Sequence, residues 1–207
     1  MSNQLEVRPA RRAEIAALAR TLAVAFHDDP VMEWLLPDAR RRVRGLSRLF
    51  DANTRHQHFA SGGVDIAVDP AGAIAGAALW DPPGRWKSSP LTELRMLPQL
   101  IRALGGRMRA GKQLVDLMTA VHPDEPHWYL ATLGTDPAHR GSGYGRALLD
   151  ARLAQCDREG VPAYLESSKQ VNIGYYERFG FEVTGTISLP GGGPDLWPMW
   201  RVPRPVG

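Results

Sequence analysis

The chain carries a single cysteine, Cys156, in 207 residues. An internal disulfide is therefore excluded, and nothing in the sequence asks for an oxidising compartment. No apolar run approaches the roughly 20 residues that cross a bilayer. The polar stretch Met1 to Arg12 has no apolar core of the kind a secretory signal carries. A cytoplasmic protein with no membrane partner is the expectation. Histidines, carboxylates and the one cysteine nowhere fall at metal-ligand spacing, so no metal is expected either. Repeats, linkers and low-complexity segments are also missing, and residues 1–207 read as one domain.

Concentrated charge is missing as well. The formal net charge is only +3 despite 25 lysines and arginines. The densest basic run, Arg40-Arg41-Arg42 followed by Arg44, has no aromatic residues between its charges. It reads as a solvated helix face rather than a nucleic-acid stripe, and no nucleic-acid partner is expected. What is present, 43% hydrophobic and 23% charged residues, is the balance of an ordinary globular domain.

Hydrophobic spacing orders the elements. A short strand opens the chain around Leu5 to Pro9. Ala13 to Phe26 has apolar residues at helical spacing and ends where His27-Asp28-Asp29-Pro30 breaks it. Val31 to Leu36 and Val43 to His58 follow as helices. Val64 to Val68 and Ile74 to Trp80 read as a hairpin around Asp69-Pro70-Ala71-Gly72. Leu91 to Thr119 reads as helical with interruptions at Pro98 and near Gly105-Gly106. The second half alternates: strand Trp128 to Thr135, helix Gly143 to Glu159, strand Ala163 to Ser167, helix Val171 to Phe179, strand Phe181 to Leu189, and a last strand around Leu196 to Val202. The order is α+β first and β-α-β-α-β afterwards. It implies a mixed α/β fold whose sheet holds a parallel pair joined by a helical crossover.

The stretch Thr135-Asp136-Pro137-Ala138-His139-Arg140-Gly141-Ser142-Gly143-Tyr144-Gly145-Arg146 joins a strand to a helix. Three glycines at alternate positions uncover backbone N–H groups where a helix begins, and the helix dipole adds partial positive charge. Such an end suits a diphosphate, with Arg140 and Arg146 adding charge. A P-loop would need Gly-Lys-Ser/Thr, and a dinucleotide fingerprint would need glycine at Arg146 or Leu148; neither is present. What remains is Arg-x-x-Gly-x-Gly at Arg140, Gly143 and Gly145. A plain glycine-rich turn is the alternative. Gly134, inside the preceding strand, suggests a β-bulge.

A second motif is Asn172-Ile173-Gly174-Tyr175-Tyr176-Glu177-Arg178-Phe179-Gly180-Phe181. A tyrosine four residues before a Gly-Phe pair closes a helix whose end Gly180 suits. Together the two motifs resemble those of the GNAT N-acetyltransferases. The likeness extends over Thr21 to Phe26, His122 to Pro126, Gly160 to Glu166 and Tyr176 to Val183, toward the puromycin N-acetyltransferase branch. It is weakest over Arg40 to Ser89.

That resemblance implies a GNAT fold, in which a mixed central sheet is splayed at a bulge and flanked by helices. It implies acetyl-CoA as cosubstrate. The backbone of Leu133, Gly134 and Thr135 would hold the pantetheine arm, and Arg140, Gly141, Ser142, Gly143, Tyr144, Gly145 and Arg146 the pyrophosphate. Asn172 would either bond the arm or cap its helix. Tyr176 would assist the departing thiolate, with Tyr175 one position out of register. Packing at a helix–sheet boundary is the plainer role for Tyr176.

The resemblance further implies a small-molecule amine as acceptor, an aminonucleoside or other antibiotic-like amine included, and it is compatible with a homodimer. A base for the amine is sought at Glu166, which ends an apolar strand, at His127, or at the acidic group Asp28, Asp29 and Glu33. The plainer roles are an ion-paired strand end for Glu166, a satisfied histidine for His127, and turn and capping duty for Asp28 and Asp29. Trp34, Trp80 and Trp86 either line an acceptor pocket or pack. Cys156 reads as buried and no nucleophile, which favours direct attack in a ternary complex. The rival functions are a CoA-binding sensor without catalysis and acetylation of a protein or tRNA amine.

Overall fold

The computed structural model describes residues 5–205. The rest of the opening polar stretch, residues 1–4, and residues 206–207 lie outside the described part of the one-domain span. Strands β1 (Glu6–Pro9), β2 (Val64–Val68), β3 (Ile74–Asp81), β4 (Trp128–Thr135), β5 (Ala163–Ser167), β6 (Glu182–Val183) and β8 (Asp195–Arg201) form a sheet in the order β1-β2-β3-β4-β5-β8-β6, and β7 (Ile187–Ser188) also pairs with β8. All pairings are antiparallel except β4 with β5. The crossover between those two is α6 (Tyr144–Glu159), as a parallel pair requires.

The sheet is buried on both faces. On one, α6 packs Leu148, Leu149, Leu153 and Cys156 against Leu130, Leu165, Phe181 and Met199. On the other, α1 (Ile15–Ala25) sets Leu18, Ala19, Leu22 and Ala23 against Ala77 and Leu79, with α3 (Ala39–Asn53) behind it through Leu46 and Phe50. Helix α2 (Pro30–Leu35) lies between α1 and α3 in sequence, and α7 (Ile173–Glu177) follows β5.

Three expectations need correction. The helix through Pro98 is not interrupted there: α4 runs Pro90–Leu104 and breaks only at Gly105, before α5 (Met108–Val121). A mid-helix proline forfeits one backbone bond, and burial of Met96 and Leu104 on either side of it holds the helix together. The strand Phe181 to Leu189 is two short pieces. Between the pairs Val183–Met199 and Ile187–Leu196, three residues (184–186) face two (197–198). Pro198 has no N–H to offer, and its carbonyl takes both the N–H and the hydroxyl of Thr184.

The third correction concerns the bulge, which is not at Gly134. Gly134 sits in regular register opposite Ala77, while the register slips between Leu79–Thr132 and Trp80–Leu130, leaving Ala131 as the extra residue. Gly134 has a different cause. A Cβ there would lie 2.8 Å from Leu22 Cδ2, 3.0 Å from Phe26 and 3.1 Å from Ala25. Without a Cβ at this position, the end of α1 settles close onto β4.

Candidate active site

The bulge at Ala131 is what opens the site. Strands β4 and β5 pair only over Trp128–Ala163, Tyr129–Tyr164 and Leu130–Leu165. Beyond Leu130 the two strands diverge, and a cleft of about 350 Å³ fills the gap. Its walls bring together Leu133, Gly134 and Thr135 of β4, Glu166 of β5, Ser168, Arg140, Asn172 and Tyr176. These residues are far apart in sequence, and the sequence motifs had named most of them separately.

At the N-terminus of α6 the backbone takes the form that the alternating glycines suggest. Gly141 and Gly143 have φ of +81° and +89°, which side chains with a Cβ rarely adopt. Gly143 is the N-cap and gives no side-chain cap. Ser142 N–H turns back to the His139 carbonyl and Ala147 N–H to that of Gly143. The N–H groups of Tyr144, Gly145 and Arg146 have no protein acceptor among the described residues, as expected for a first helical turn. A Cβ on Gly145 would stand 3.3 Å from both the Thr135 hydroxyl and the Tyr175 hydroxyl, so this turn is packed close against β4 and α7. The end of the helix can thus bind an anion through amides and dipole.

The flanking arginines differ from each other. Arg140 reaches the last turn of α1, donating to the Ala25 carbonyl at 2.9 Å and pairing with Asp28 at 3.4 Å, and it lines the cleft. The exposed side chain of Arg146 pairs with Asp150 at 3.2 Å and borders a separate groove between α6 and α7.

Helix α7 sends its two tyrosines to opposite places. Tyr176 lines the cleft, and its hydroxyl makes no hydrogen bond among the described residues. Burial pushes its ionisation upward, helped by neighbouring Tyr175 and by the Asp29 carboxylate. Tyr175 instead packs beside Phe179 and the start of α6, and burial raises its pKa to about 12. Asn172 occupies the N-cap position of α7 without any side-chain capping bond, so of its two readings the capping one fails.

Asp29 does cap, taking the N–H groups of Val31 at 3.0 Å and Met32 at 3.2 Å, and it also accepts a short hydrogen bond from Ser168. Burial holds its pKa above the ordinary value against those bonds. Asp28 goes the other way. Its burial is outweighed by Lys169 and Arg140, which hold its carboxyl below the usual range. With both cations paired to it, Asp28 has little charge left to draw an amine. Glu33 is likewise engaged, at 2.8 Å from Arg42.

Glu166 is neither solvated nor tightly paired. Its side chain is 2% exposed, and its Oε1 has no hydrogen-bond partner. The nearest cation-forming group is His122, with Nδ1 at 3.9 Å. His122 Nε2 in turn lies 3.0 Å from His127 Nε2, and His127 Nδ1 lies 2.6 Å from the Glu125 carbonyl. His127 is therefore a buried member of a chain that leads to Glu166. His122 was not singled out for chemistry in the sequence, because nothing local links it to a carboxylate 44 positions on.

The tryptophans divide three ways. Trp80 is wholly buried in the core. Trp34 donates from its ring nitrogen to the Pro190 carbonyl. Trp86 stacks on His122 with centroids 3.6 Å apart. Cys156 is buried within α6, and burial raises its thiol to about 12, which leaves no thiolate for nucleophilic work near neutral pH. Among the described residues there is no group of three or more metal-ligating side chains, and no helix is long and apolar enough to cross a membrane.

Comparison with known proteins places this geometry. Residues 29–181 match the acetyltransferase (GNAT) family. An uncharacterised N-acetyltransferase of Schizosaccharomyces pombe is 31% identical over 183 residues, covering 83% of this chain and 72% of the relative. A solved structure from Corynebacterium glutamicum, described as histone acetyltransferase HPA2 and related acetyltransferase, superposes with a TM-score of 0.75 at 29% identity over 97% of both chains. The polyamine N-acetyltransferase of Drosophila melanogaster, which forms N-acetylagmatine, shares the fold at a TM-score of 0.63 and 16% identity, covering 96% of this chain and 100% of its own.

Proposed function

Because the chain belongs to the acetyltransferase (GNAT) family and is an N-acetyltransferase, we propose that it acetylates the amine of a small molecule by direct attack on acetyl-CoA in a ternary complex. Acetyl-CoA supplies the acetyl group as an activated thioester. The observation that carries this reading is the cleft between the parted strands, which brings together the Tyr176 hydroxyl and a carboxylate, Glu166, whose buried Oε1 has no hydrogen-bond partner.

The residues fit the cosubstrate. The unpartnered amides at the start of α6, with Arg140 beside them, are matched to a diphosphate. The unpaired edge of β4 from Leu133 to Thr135 offers amide-compatible backbone to an extended arm, and the Asn172 side chain is free to join it. Gly141, Gly143, Tyr144, Gly145 and Arg146 contribute through backbone, since the Arg146 side chain is turned to Asp150, and Ser142, whose N–H is taken by the His139 carbonyl, contributes through its hydroxyl.

Tyr176 assists the leaving sulfur. A phenol whose ionisation is raised by burial surrenders its proton reluctantly. Its part is a hydrogen bond that strengthens as negative charge grows on sulfur. Glu166 takes the proton of the incoming ammonium, since only a neutral amine is nucleophilic. The buried thiol of Cys156 argues for this direct route over an acyl-cysteine.

Small cationic amines head the acceptors to be tried, with aminonucleosides among them. Calorimetry should detect coenzyme A binding to the wild type, and Gly143→Glu, which adds negative charge and strain at φ +89°, should abolish it. Free-thiol release against an amine panel then reads transfer. Binding with no transfer to any amine would make the protein a sensor, and no binding would end the proposal.

A further inference from the structure

Glu166 Oε1, a buried atom with no hydrogen-bond partner on a residue that lines the cleft, lies 3.9 Å from His122 Nδ1, and the hydrogen-bond chain behind this pair dictates where the protons sit. His127 Nδ1 meets the Glu125 carbonyl at 2.6 Å, and a carbonyl only accepts, so Nδ1 carries hydrogen. Burial, with His122 as a like-charged neighbour, favours neutral His127 over the pull of that carbonyl. Its Nε2 is therefore a lone pair. His122 Nε2, 3.0 Å away, must be the donor. In its neutral form an imidazole has one N–H, so a neutral His122 that donates through Nε2 carries a lone pair at Nδ1, 3.9 Å from Glu166 Oε1, itself without a partner.

Resting on the acetyltransferase reading above, we infer that Glu166 and His122 form one composite base that holds a single proton between Oε1 and Nδ1, with His127 locking the tautomer that makes this possible. Two lone pairs facing each other in a buried site repel, and one proton turns the repulsion into a hydrogen bond. The empty pair is for that reason a strong acceptor aimed at the cleft. The gap exceeds hydrogen-bond length, as such contacts often do before substrate is bound.

Aromatic rings enclose His122. Trp86 stacks on the ring at 3.6 Å, and Tyr129 of β4 and Tyr164 of β5 stand edge-on at 4.9 and 4.8 Å. Both phenols stay protonated, because burial and then the Glu166 charge raise their ionisation. The other titratable groups nearby are committed elsewhere: Asp81 of β3 to His58 at 2.9 Å, and Lys87 over the Trp86 ring at 4.8 Å. From β8 the neighbour is the uncharged Trp200, beside His127 at 5.3 Å.

In the reaction, an ammonium N–H bond breaks as the proton passes to Glu166 and on to His122 Nδ1. The freed nitrogen attacks the thioester carbon and the C–S bond breaks, the electron pair leaving on sulfur. The second nitrogen proton ends on that sulfur as free thiol, and the stored proton returns to water after product leaves. Glu166 is the catalytic residue here. His122 and His127 are positioning residues that act through it.

The test uses His122→Phe, which keeps an aromatic ring against Trp86 and removes the nitrogen. For any amine the wild type accepts, the variant can use only amine already deprotonated in solution. Two pH units below that amine's own ionisation, kcat/KM should fall about 100-fold, shrinking to within about 3-fold above it, with coenzyme A affinity unchanged. A deficit constant across pH, or none, overturns the composite base. A wild type that transfers to no amine overturns the acetyltransferase reading instead. On the wild type itself, nitrogen-15 NMR of labelled histidine should find His127 protonated at Nδ1 and His122 at Nε2. A His122 with a bare Nε2 overturns the proposal even if the variant fails to fold.

Discussion

The Ser168 hydroxyl donates a hydrogen bond to the Asp29 carboxylate, tying the loop after β5 to the first turn of α2 across the mouth of the cleft. The link joins residues 139 positions apart and fixes the spacing of two walls of the site. Asp29 keeps a raised pKa in spite of it, so the carboxylate form is already costly there.

Ser168→Ala is expected to lower stability by about 2 kcal/mol at pH 7, the range for a lost hydrogen bond to a charged group. The sign with pH follows from the raised pKa. The folded state binds the Asp29 proton more tightly than the unfolded state does, so that contribution is present at low pH and lost as pH rises through the folded value. Removing Ser168 raises the folded value further. The penalty measured by urea denaturation should therefore be larger at pH 7 than at pH 4, and a pH-independent difference would contradict this account.

Tyr176→Phe should reduce turnover about 10- to 1,000-fold while coenzyme A affinity, read by calorimetry, stays within a factor of two or three. Because burial raises the ionisation of Tyr176, the wild-type rate should show no descending limb from this phenol near pH 10, the ordinary tyrosine value. Unchanged turnover would remove Tyr176 from the reaction. Tyr175→Phe serves as the comparison, since that ring packs away from the cleft.

Gly134→Ala should destabilise the fold by about 1–3 kcal/mol, the usual cost of overpacking. The added methyl meets Leu22, Phe26 and Ala25 within 3.1 Å, and moving them shifts the end of α1 against the cleft. A denaturation midpoint gives the stability. A variant as stable as the wild type would mean that α1 yields freely at this point.

Cys156→Ala should keep at least half of the wild-type turnover, at a stability cost of about 1 kcal/mol for the lost sulfur contacts. The native thiol, raised to about 12 by burial, should resist iodoacetamide in the folded protein. Loss of activity on alkylation of folded protein would bring the acyl-cysteine route back.

At low pH the bond between Arg8 of β1 and Glu14, the residue just before α1, should fail early. Arg8 holds Glu14 through two hydrogen bonds, of 2.9 and 2.6 Å, which lower the Glu14 pKa from 4.5 to about 2, with burial opposing. This contribution is present above pH 4.5 and lost as pH falls toward 2. Glu14→Gln should accordingly flatten the acid limb of the stability curve over that window, and an unaltered limb would show that the pair adds nothing.

Much of the molecule was legible residue by residue. The bounds of β2, β4 and β5 follow from apolar runs and the turn residues that flank them, since a strand's composition and its breakers are local properties. The glycine loop before α6 and the tyrosine ahead of Gly180-Phe181 announced themselves for the same reason. They depend on φ angles and helix ends that neighbouring residues settle among themselves. Local rules misjudged Pro98, where packing on both sides outweighs one missing bond, and the strand after Phe181, where the partner's Pro198 imposes the irregularity.

What the sequence by itself determined is an α/β chain with an anion-ready helix start and a tyrosine motif, because propensity, periodicity and backbone freedom act over a few residues. What only the tertiary structure decided is which side chains meet. The bulge at Ala131, rather than Gly134, parts the strands, Tyr176 and not Tyr175 enters the gap, and His122 comes to face Glu166. Those outcomes depend on register and burial, in which a one-residue slip turns a side chain to the opposite face of the sheet.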